Sequence, residues 1–458
     1  MTTKLLGLVS GICSHRRQMV DSGGLAPIVW PLDLLRRWTG LMAVVLISVT
    51  WPLWWGTAEF PTIPVAAWLD QVPELVDRVC CVAILLGLTV LVMGNQPASA
   101  WGWLGVLASG ILLASLDQHR WQPWFYQLLL FAAIFSLGSP KTIARCLTWL
   151  TISVYFYSAL GKLDAEFLHT VGQQFCHEVL RWIGQVRSEG APWREYPIAL
   201  VGILPTAEFM LAAGLTWPIT RRFAGALAIL FHLGLMVLLG PLGLDHSAGV
   251  VLWNLQFAGQ ALFLFVLLPL QRTAKSSETE SAKASKRWND RVATTITALA
   301  MALPLGERSG LWDHWTSWAL YAPHSSRTEV WIAYTAVDSL PDSLRQIIRE
   351  ERTSRGSPLE QRSERELDAL DEMSTLWLRV PIERWSLKET HAPIYPQARF
   401  QLGVARSLAA PIDSEFKIKC IVRSAAARWD GRRESHEYHG KSGLANASRS
   451  FWLGTTPR

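Results

Sequence analysis

Residues 154–164 read VYFYSALGKLD. On a helix, Tyr155, Ser158 and Lys162 stand at i, i+3 and i+7, so two hydroxyls and an amine share one face. Tyr157 and Asp164 lie close by in the sequence. A lysine with such neighbours at the end of a lipid-buried helix is a candidate functional group. The same pattern is met by a lysine that snorkels from a helix end to the interface. Three further places hold polar groups in apolar surroundings. Glu208, in ILPTAEFMLAAGL, sits near the middle of its run, where snorkelling is difficult; it either acts chemically or pairs with an arginine or lysine of a neighbouring helix. His232, in LAILFHLGLMVLLG, suits a hydrogen-bonded core histidine better than a ligand. Asn254, Gln256 and Gln260, in VVLWNLQFAGQALF, have the character of amides that join helices. Together these residues predict a polar cavity near the outer leaflet on the fifth to eighth helices.

The elements that must position them are membrane helices. The chain has 458 residues and is 50% hydrophobic. Apolar runs dominate through about Leu270, and charges become frequent beyond it. A span needs roughly 20 mainly apolar residues. Candidates cover 38–55, 79–93, 101–116, 124–137, 144–163, 198–217, 223–242 and 248–270, with a weaker ninth at 292–306. Trp51, Trp54, Trp55, Trp101, Trp103, Trp121 and Trp124 fall at the ends of these runs, where amphipathic rings meet the headgroups. The expected fold is an α-helical polytopic membrane bundle of about 8–9 spans followed by a small β-rich soluble domain. Residues 1–37 form the N-terminal segment, 38–306 the transmembrane domain with a polar linker at about 271–290, and 307–458 the soluble domain.

Basic residues orient the bundle. Arg16, Arg17, Arg36 and Arg37 precede the first span and place the N-terminus inside. Glu59, Asp70, Glu74 and Asp77 then lie outside. Lys141, Arg145, Arg221, Arg222 and the linker fall inside, and Asp245 and His246 outside. The connection after Asp164 also falls outside although it carries Arg181, Arg187 and Arg194. Nine spans put the C-terminal domain outside; eight would leave it in the cytoplasm. The expected location is the plasma (inner) membrane, with lipid as the immediate partner.

Other classes find little support. The six cysteines show no CxxC spacing, which argues against a metal cluster or a disulfide framework, and Cys176–Cys420 is the one bridge considered. The net charge of +6 is dispersed, without the basic, aromatic-interleaved stripe of a nucleic-acid binder. The N-terminal apolar stretch is short for a signal peptide, and no short-period repeat is visible. In the soluble half, 329–337 reads as a strand. TLWLRVPIERWSLK, ARFQLGVARSLAA and FKIKCIVRSAA alternate with the period of half-buried strands. DSLRQIIREERTSRG and PLEQRSERELDALDEM read as a charged insertion, helical or disordered. His391, His436 and His439 match no established ligand spacing. Asn446-Ala447-Ser448 is a glycosylation sequon by pattern.

VYFYSALGKLDAEFL resembles the core motif of the vitamin K-dependent gamma-carboxylase superfamily, whose membrane part is also called the horizontally transferred transmembrane (HTTM) domain. The likeness continues in order through EFMLAAGLTWPITRRFAGALAILFHLGLMVLLGPLG, where Glu208, Arg221 or Arg222, Phe231 and His232 fall at matching places. LDQHRWQPWFYQLLL is a looser match to a His-containing segment. The small DoxX-like membrane proteins form a similar neighbouring group. Gly161 and Phe167 depart from the motif, which carries lysine and tryptophan there. The resemblance implies that Lys162 is the base that deprotonates a reduced quinone, with His119, Glu208 and His232 as further catalytic candidates. Tyr155, Tyr157 and Ser158 become candidate quinone-binding groups. It implies a quinol-linked carboxylase-like or oxidoreductase-type enzyme. The main alternative is a non-catalytic membrane scaffold or assembly factor whose outer domain binds a protein partner; a transporter is a third reading, weakened by the missing repeat.

Overall fold

The computed structural model of the protein describes residues 29–56, 58–94, 96–184, 195–270, 280–354 and 377–458. Cys13, Arg16, Arg17, Arg187, Arg194, the first part of the expected linker and the PLEQRSERELDALDEM insertion lie outside the described residues. The bundle opens with α1 (Val29–Val49), which starts well before the predicted span and takes Arg36 and Arg37 into the helix. Asp33 pairs with both arginines, and their remaining donors cap the carbonyls of Leu91, Val92 and Gly94, the C-terminal orphans of α3 (Glu74–Met93). The rest of the predicted first span is a separate short helix, α2 (Trp51–Trp55), because Pro52 cannot continue the hydrogen-bond ladder.

Next come α4 (Gln96–Leu116), α5 (Pro123–Leu137) and α6 (Pro140–Lys162). Two short helices, α7 (Ala165–His169) and α8 (Val171–Trp182), follow on the surface. The chain re-enters through α9 (Ile198–Val201) and α10 (Ile203–Thr216), then α11 (Arg221–Leu239) and α12 (Ala248–Ala261). Among the described residues, six helical stretches are long and apolar enough to cross a membrane: Glu74–Met93, Ser99–Leu116, Pro140–Lys162, Ile198–Thr216, Arg221–Leu239 and Ala248–Leu267. They are consistent with an integral membrane protein. Helix α5 is shorter but apolar and buried all round from Pro123 to Ile134, so it forms the centre of the bundle. Helices α3 and α4 touch through their backbones: a Cβ on Gly87 would stand 2.9 Å from the Gly102 carbonyl oxygen, the small-residue packing favoured between membrane helices.

The weak ninth candidate is helical within α13 (Glu280–Ala302), which packs on α5 and α6. The second half of the expected linker is thus helix. Asp290, midway along it, accepts from the Ser139 backbone N–H at 2.6 Å, and the Met301 carbonyl accepts from Tyr157 near its C-terminal end.

Among the described residues of 327–458 there is a four-stranded antiparallel sheet in the order β2-β1-β3-β4. The strands are β1 (Arg327–Ala333), β2 (Trp377–Val380), β3 (Ile418–Arg423) and β4 (Ser435–His439). Val330 pairs with Val380 on one side and Cys420 on the other. Helices α14 (Asp342–Ser354), α15 (Ile382–Thr390), α16 (Ala398–Ala409) and α17 (Gly440–Ser448) surround the sheet. The alternation in ARFQLGVARSLAA misleads: this segment is α16, not a strand. Its apparently outward residues are buried too. Arg399 reaches Asp313 and Gln118, Gln401 accepts from the Thr328 N–H at 2.8 Å, and Gly403 lies against Ile63. The segment 382–390 is likewise helix, and the polar edge strand β4 went unread because its alternation buries little. His391 meets the Val49 carbonyl, apart from His436 and His439 on β4, and both Cys176 and Cys420 are free thiols.

The sheet unit docks on one end of the bundle. There Arg458 pairs with Asp77, which also binds Arg120, Gln118 donates to the Gly454 carbonyl, and Arg433 pairs with Glu166. Asp33, Arg36, Arg37, Lys141, Arg145, Arg221, Arg222 and Asp290 lie toward the opposite face, at helix starts or, for Arg36, Arg37 and Asp290, beside the ends of neighbouring helices.

Candidate functional site

Lys162 closes the last turn of α6 and is 1% exposed. It turns back along its own helix, as side chains near a helix C-terminus do, and donates to Ser158 Oγ at 2.6 Å and to the Ser158 carbonyl at 3.2 Å. Its main partner is Glu208, on α10, whose two carboxylate oxygens lie 3.0 and 2.9 Å from Nζ. Both members are desolvated, and such a pair persists only when nearly every donor and acceptor is used, as here. Asp164 takes no part. It caps α7 by accepting from the Phe167 N–H at 2.7 Å and pairs with Arg308 and His324. Burial would raise the Asp164 carboxyl, but the His324 hydrogen bond, the Phe167 N–H and the His324 and Arg308 charges outweigh it and hold the group below the usual carboxylate range.

A second chain of polar groups faces this pair. Tyr155 Oη lies 2.7 Å from His232 Nε2, and His232 Nδ1 lies 2.9 Å from Asn254 Oδ1. The Asn254 amide is oriented by donation from Nδ2 to the Val250 carbonyl at 3.0 Å. Its oxygen therefore faces His232, Nδ1 carries the imidazole proton, and Nε2 accepts from Tyr155. The tyrosine oxygen keeps its lone pairs for a third partner. His232 also stacks on Phe257, with ring centroids 4.9 Å apart. The supporting helices α6, α10, α11 and α12 are the fifth to eighth predicted spans, so the cavity expected from scattered polar residues has a physical counterpart. Tyr155, Ser158, Glu208, His232, Asn254, Leu320 and Tyr321 line a cavity of about 40 Å³.

The roof is the segment 314–324. Trp318 and Tyr321 both adopt positive φ, 60° and 59°, an arrangement that costs non-glycine residues of order 1–3 kcal/mol each. Tyr321 interacts with Asn254 and lies with its ring centroid 5.9 Å from Lys162 Nζ. Gly161 packs beneath this roof: a Cβ there would stand 3.3 Å from Ala319 Cα, a tight fit that a small side chain meets with a slight shift of the roof and that a lysine would crowd.

Comparison with protein-family models, curated proteins and solved structures finds no match to this chain.

Two predicted site residues lie elsewhere. Tyr157 points away from the cavity and donates to the Met301 carbonyl at 2.6 Å. It lines, with Trp149, Phe156, Phe209, Met210 and Trp217, an apolar groove of about 600 Å³ along α6 and α10. His119 is not among the residues that meet Lys162, Glu208 or His232. It lies between α4 and α5, with Nε2 2.8 Å from the Pro393 carbonyl and its ring against Phe60 and Phe400. Burial pushes its imidazole down to about 4, which keeps it neutral at physiological pH. Sequence reasoning missed Tyr321 and treated Asn254 only as a helix-joining amide. Nothing local marks Tyr321, whose role comes from a loop folded back from the far side of α13.

Proposed function

We propose that the protein is an integral membrane enzyme with a buried acid–base site that removes a proton from a lipid-soluble hydroxyl compound, the chemical class to which reduced quinones belong. The observation that carries this reading is Lys162, desolvated and held by Glu208 and Ser158 opposite the Tyr155–His232–Asn254 chain. Lys162 and Glu208 share a proton between an amine and a carboxylate. With that proton on Glu208, Nζ has a lone pair to offer. Nζ then takes the hydroxyl proton while Ser158 keeps it aimed, and the Tyr155 oxygen supports the substrate from the opposite wall. A reduced quinone supplies an acidic hydroxyl. Once it is deprotonated, its two electrons pass with two protons to molecular oxygen, which leaves the quinone and hydrogen peroxide. The residues around the cavity match the quinol's chemistry. In its closed form the cavity has room for about one water and none for an aromatic ring, so the roof at 318–321 must lift. The apolar groove beside Phe156 and Phe209 suits an isoprenoid or acyl tail.

The roof can be tested directly. A Cβ on residue 161 would lie 3.4 Å from Ala319 Cβ, near the spacing that a disulfide bridges. The double substitution Gly161→Cys and Ala319→Cys, oxidised, is expected to block turnover of a reduced quinone and to recover it on reduction. Equal rates in both redox states would remove roof opening from the cycle.

The orientation follows from charge. The face opposite the sheet unit carries Arg36, Arg37, Lys141, Arg145, Arg221 and Arg222 against Asp33 and Asp290, which favours the cytoplasm for that face. With α1, α5 and α13 counted beside the six long spans, the sheet unit lies outside the plasma (inner) membrane. A reporter fused after Arg458 should then be active only on the non-cytoplasmic side; cytoplasmic activity would reverse the assignment. The scaffold reading draws on one observation of its own: Lys162, Ser158 and Glu208 satisfy one another, as structural ion pairs do.

A further inference from the structure

At the two ends of the roof segment, beside Asp164, Glu307, His314 and His324 bring one ligand atom each to within 4.8 Å of the others. His314 and His324 are 2% and 0% exposed. The donors and acceptors around them do not balance for two neutral imidazoles. His314 Nε2 lies 2.8 Å from the Ala322 carbonyl, which only accepts, so Nε2 carries the proton and the Nδ1 lone pair is aimed at Glu307 Oε1, 2.8 Å away. His324 Nδ1 lies 2.5 Å from Asp164 Oδ2, which also only accepts. The 2.5 Å contact places a proton on Nδ1, while Arg308 Nη2, 3.3 Å from the same nitrogen, donates to Asp164 Oδ2 at 3.0 Å; the Nε2 lone pair then faces Glu307 Oε1 and Oε2 at 3.1 and 3.2 Å. Two nitrogen lone pairs thus converge on one carboxylate. Either both rings are protonated, with centroids 4.8 Å apart, or a cation sits among them. One divalent cation replaces two protons without changing the net charge.

We propose that Glu307 and the facing nitrogens His314 Nδ1 and His324 Nε2 bind a divalent transition-metal ion, zinc foremost. Two imidazoles and a carboxylate form a donor set that zinc accepts, with a fourth position left for water. Zinc–ligand distances of about 2.0–2.2 Å set tetrahedral ligand atoms about 3.4 Å apart, so the two His–Glu contacts must open by up to about half an ångström, and the two facing nitrogens, within 4.8 Å of each other, must settle to that spacing. The surroundings are those of a metal site. Each histidine gives its other N–H to an oxygen, a carbonyl for His314 and a carboxylate for His324, the outer contacts that fix tautomer and ring direction. The ion would join residues 307, 314 and 324, and so would pin the base of the roof to Asp164 at the end of α6. The site stands independently of the proposed quinol chemistry.

The test uses the full-length protein purified in detergent, stripped with a chelator and titrated with zinc chloride or cobalt chloride. The expected result is one metal per chain by elemental analysis, a rise in melting temperature with zinc, and the visible bands of tetrahedrally coordinated cobalt. His314→Gln and His324→Gln should abolish the cobalt spectrum. Asp164→Asn keeps the helix cap but weakens the outer contact, and should lower zinc affinity about 10–100-fold. If the wild-type protein takes up no metal, or the glutamine variants bind as well as wild type, the cluster is a protonated histidine pair and the proposal is wrong. The cobalt spectrum keeps the test decisive should a variant lose stability, because the wild type alone can fail it.

Discussion

Lys162→Arg is expected to yield a folded protein whose turnover of a reduced quinone falls by about 10²–10⁴-fold, the usual worth of a positioned general base. A guanidinium keeps a cation beside Glu208 and can use both carboxylate oxygens, so membrane insertion and melting temperature should change little. It does not deprotonate in this range, so no lone pair becomes available. The scaffold reading predicts the reverse emphasis: the arginine variant behaves as wild type in every assay, because charge pairing is then the only task. Initial rates of quinol oxidation, set beside thermal unfolding of the same preparation, separate the two. An arginine variant with full activity would end the base assignment.

Removing one member of the pair should have the larger effect on stability. Glu208→Ala or Lys162→Ala leaves a desolvated charge without its partner, and truncating one side of a buried pair costs about 3–5 kcal/mol. The alanine variant of Lys162 is therefore a poor probe of catalysis alone. Substituting both residues with apolar side chains, as in Lys162→Met with Glu208→Leu, removes both desolvation penalties, and most of the lost stability should return. Thermal unfolding of the two single variants and the double variant in one detergent gives the cycle. Additive losses would mean that the 2.9 Å contact between Nζ and Oε2 carries no coupling.

Much of this arrangement is legible in the sequence, for physical reasons that differ by residue. Apolar runs with tryptophan at their ends mark membrane helices because length and hydrophobicity are local properties. Glu208 and His232 stand out because a polar group in an apolar run must be satisfied by something. What the sequence withholds is the identity of the partner. Asp164 is the nearest acid to Lys162 along the chain, yet the backbone turns at Leu163 and sends Asp164 to cap α7, while Glu208 arrives 46 residues later. His119 enters through the looser motif match alone, and α4 ends at Leu116 and leaves it against Pro393. Helix α16 deceives a period-two reading because it is buried on both sides, so its polar residues mark internal partners, not solvent. Tyr321 and the Glu307–His314–His324 cluster depend on a loop returning over α6, and no periodicity encodes such a return.

The central claim is that a buried amine paired with Glu208 takes a proton from a lipid-soluble quinol. The most direct measurement is oxygen uptake by the purified wild-type protein supplied with a reduced quinone, recorded beside Lys162→Arg at equal folded concentration. The account predicts uptake that depends on both protein and quinol, well above spontaneous oxidation, and nearly absent in the arginine variant. Wild-type uptake no faster than the protein-free control, or equal uptake by the two proteins, would contradict it.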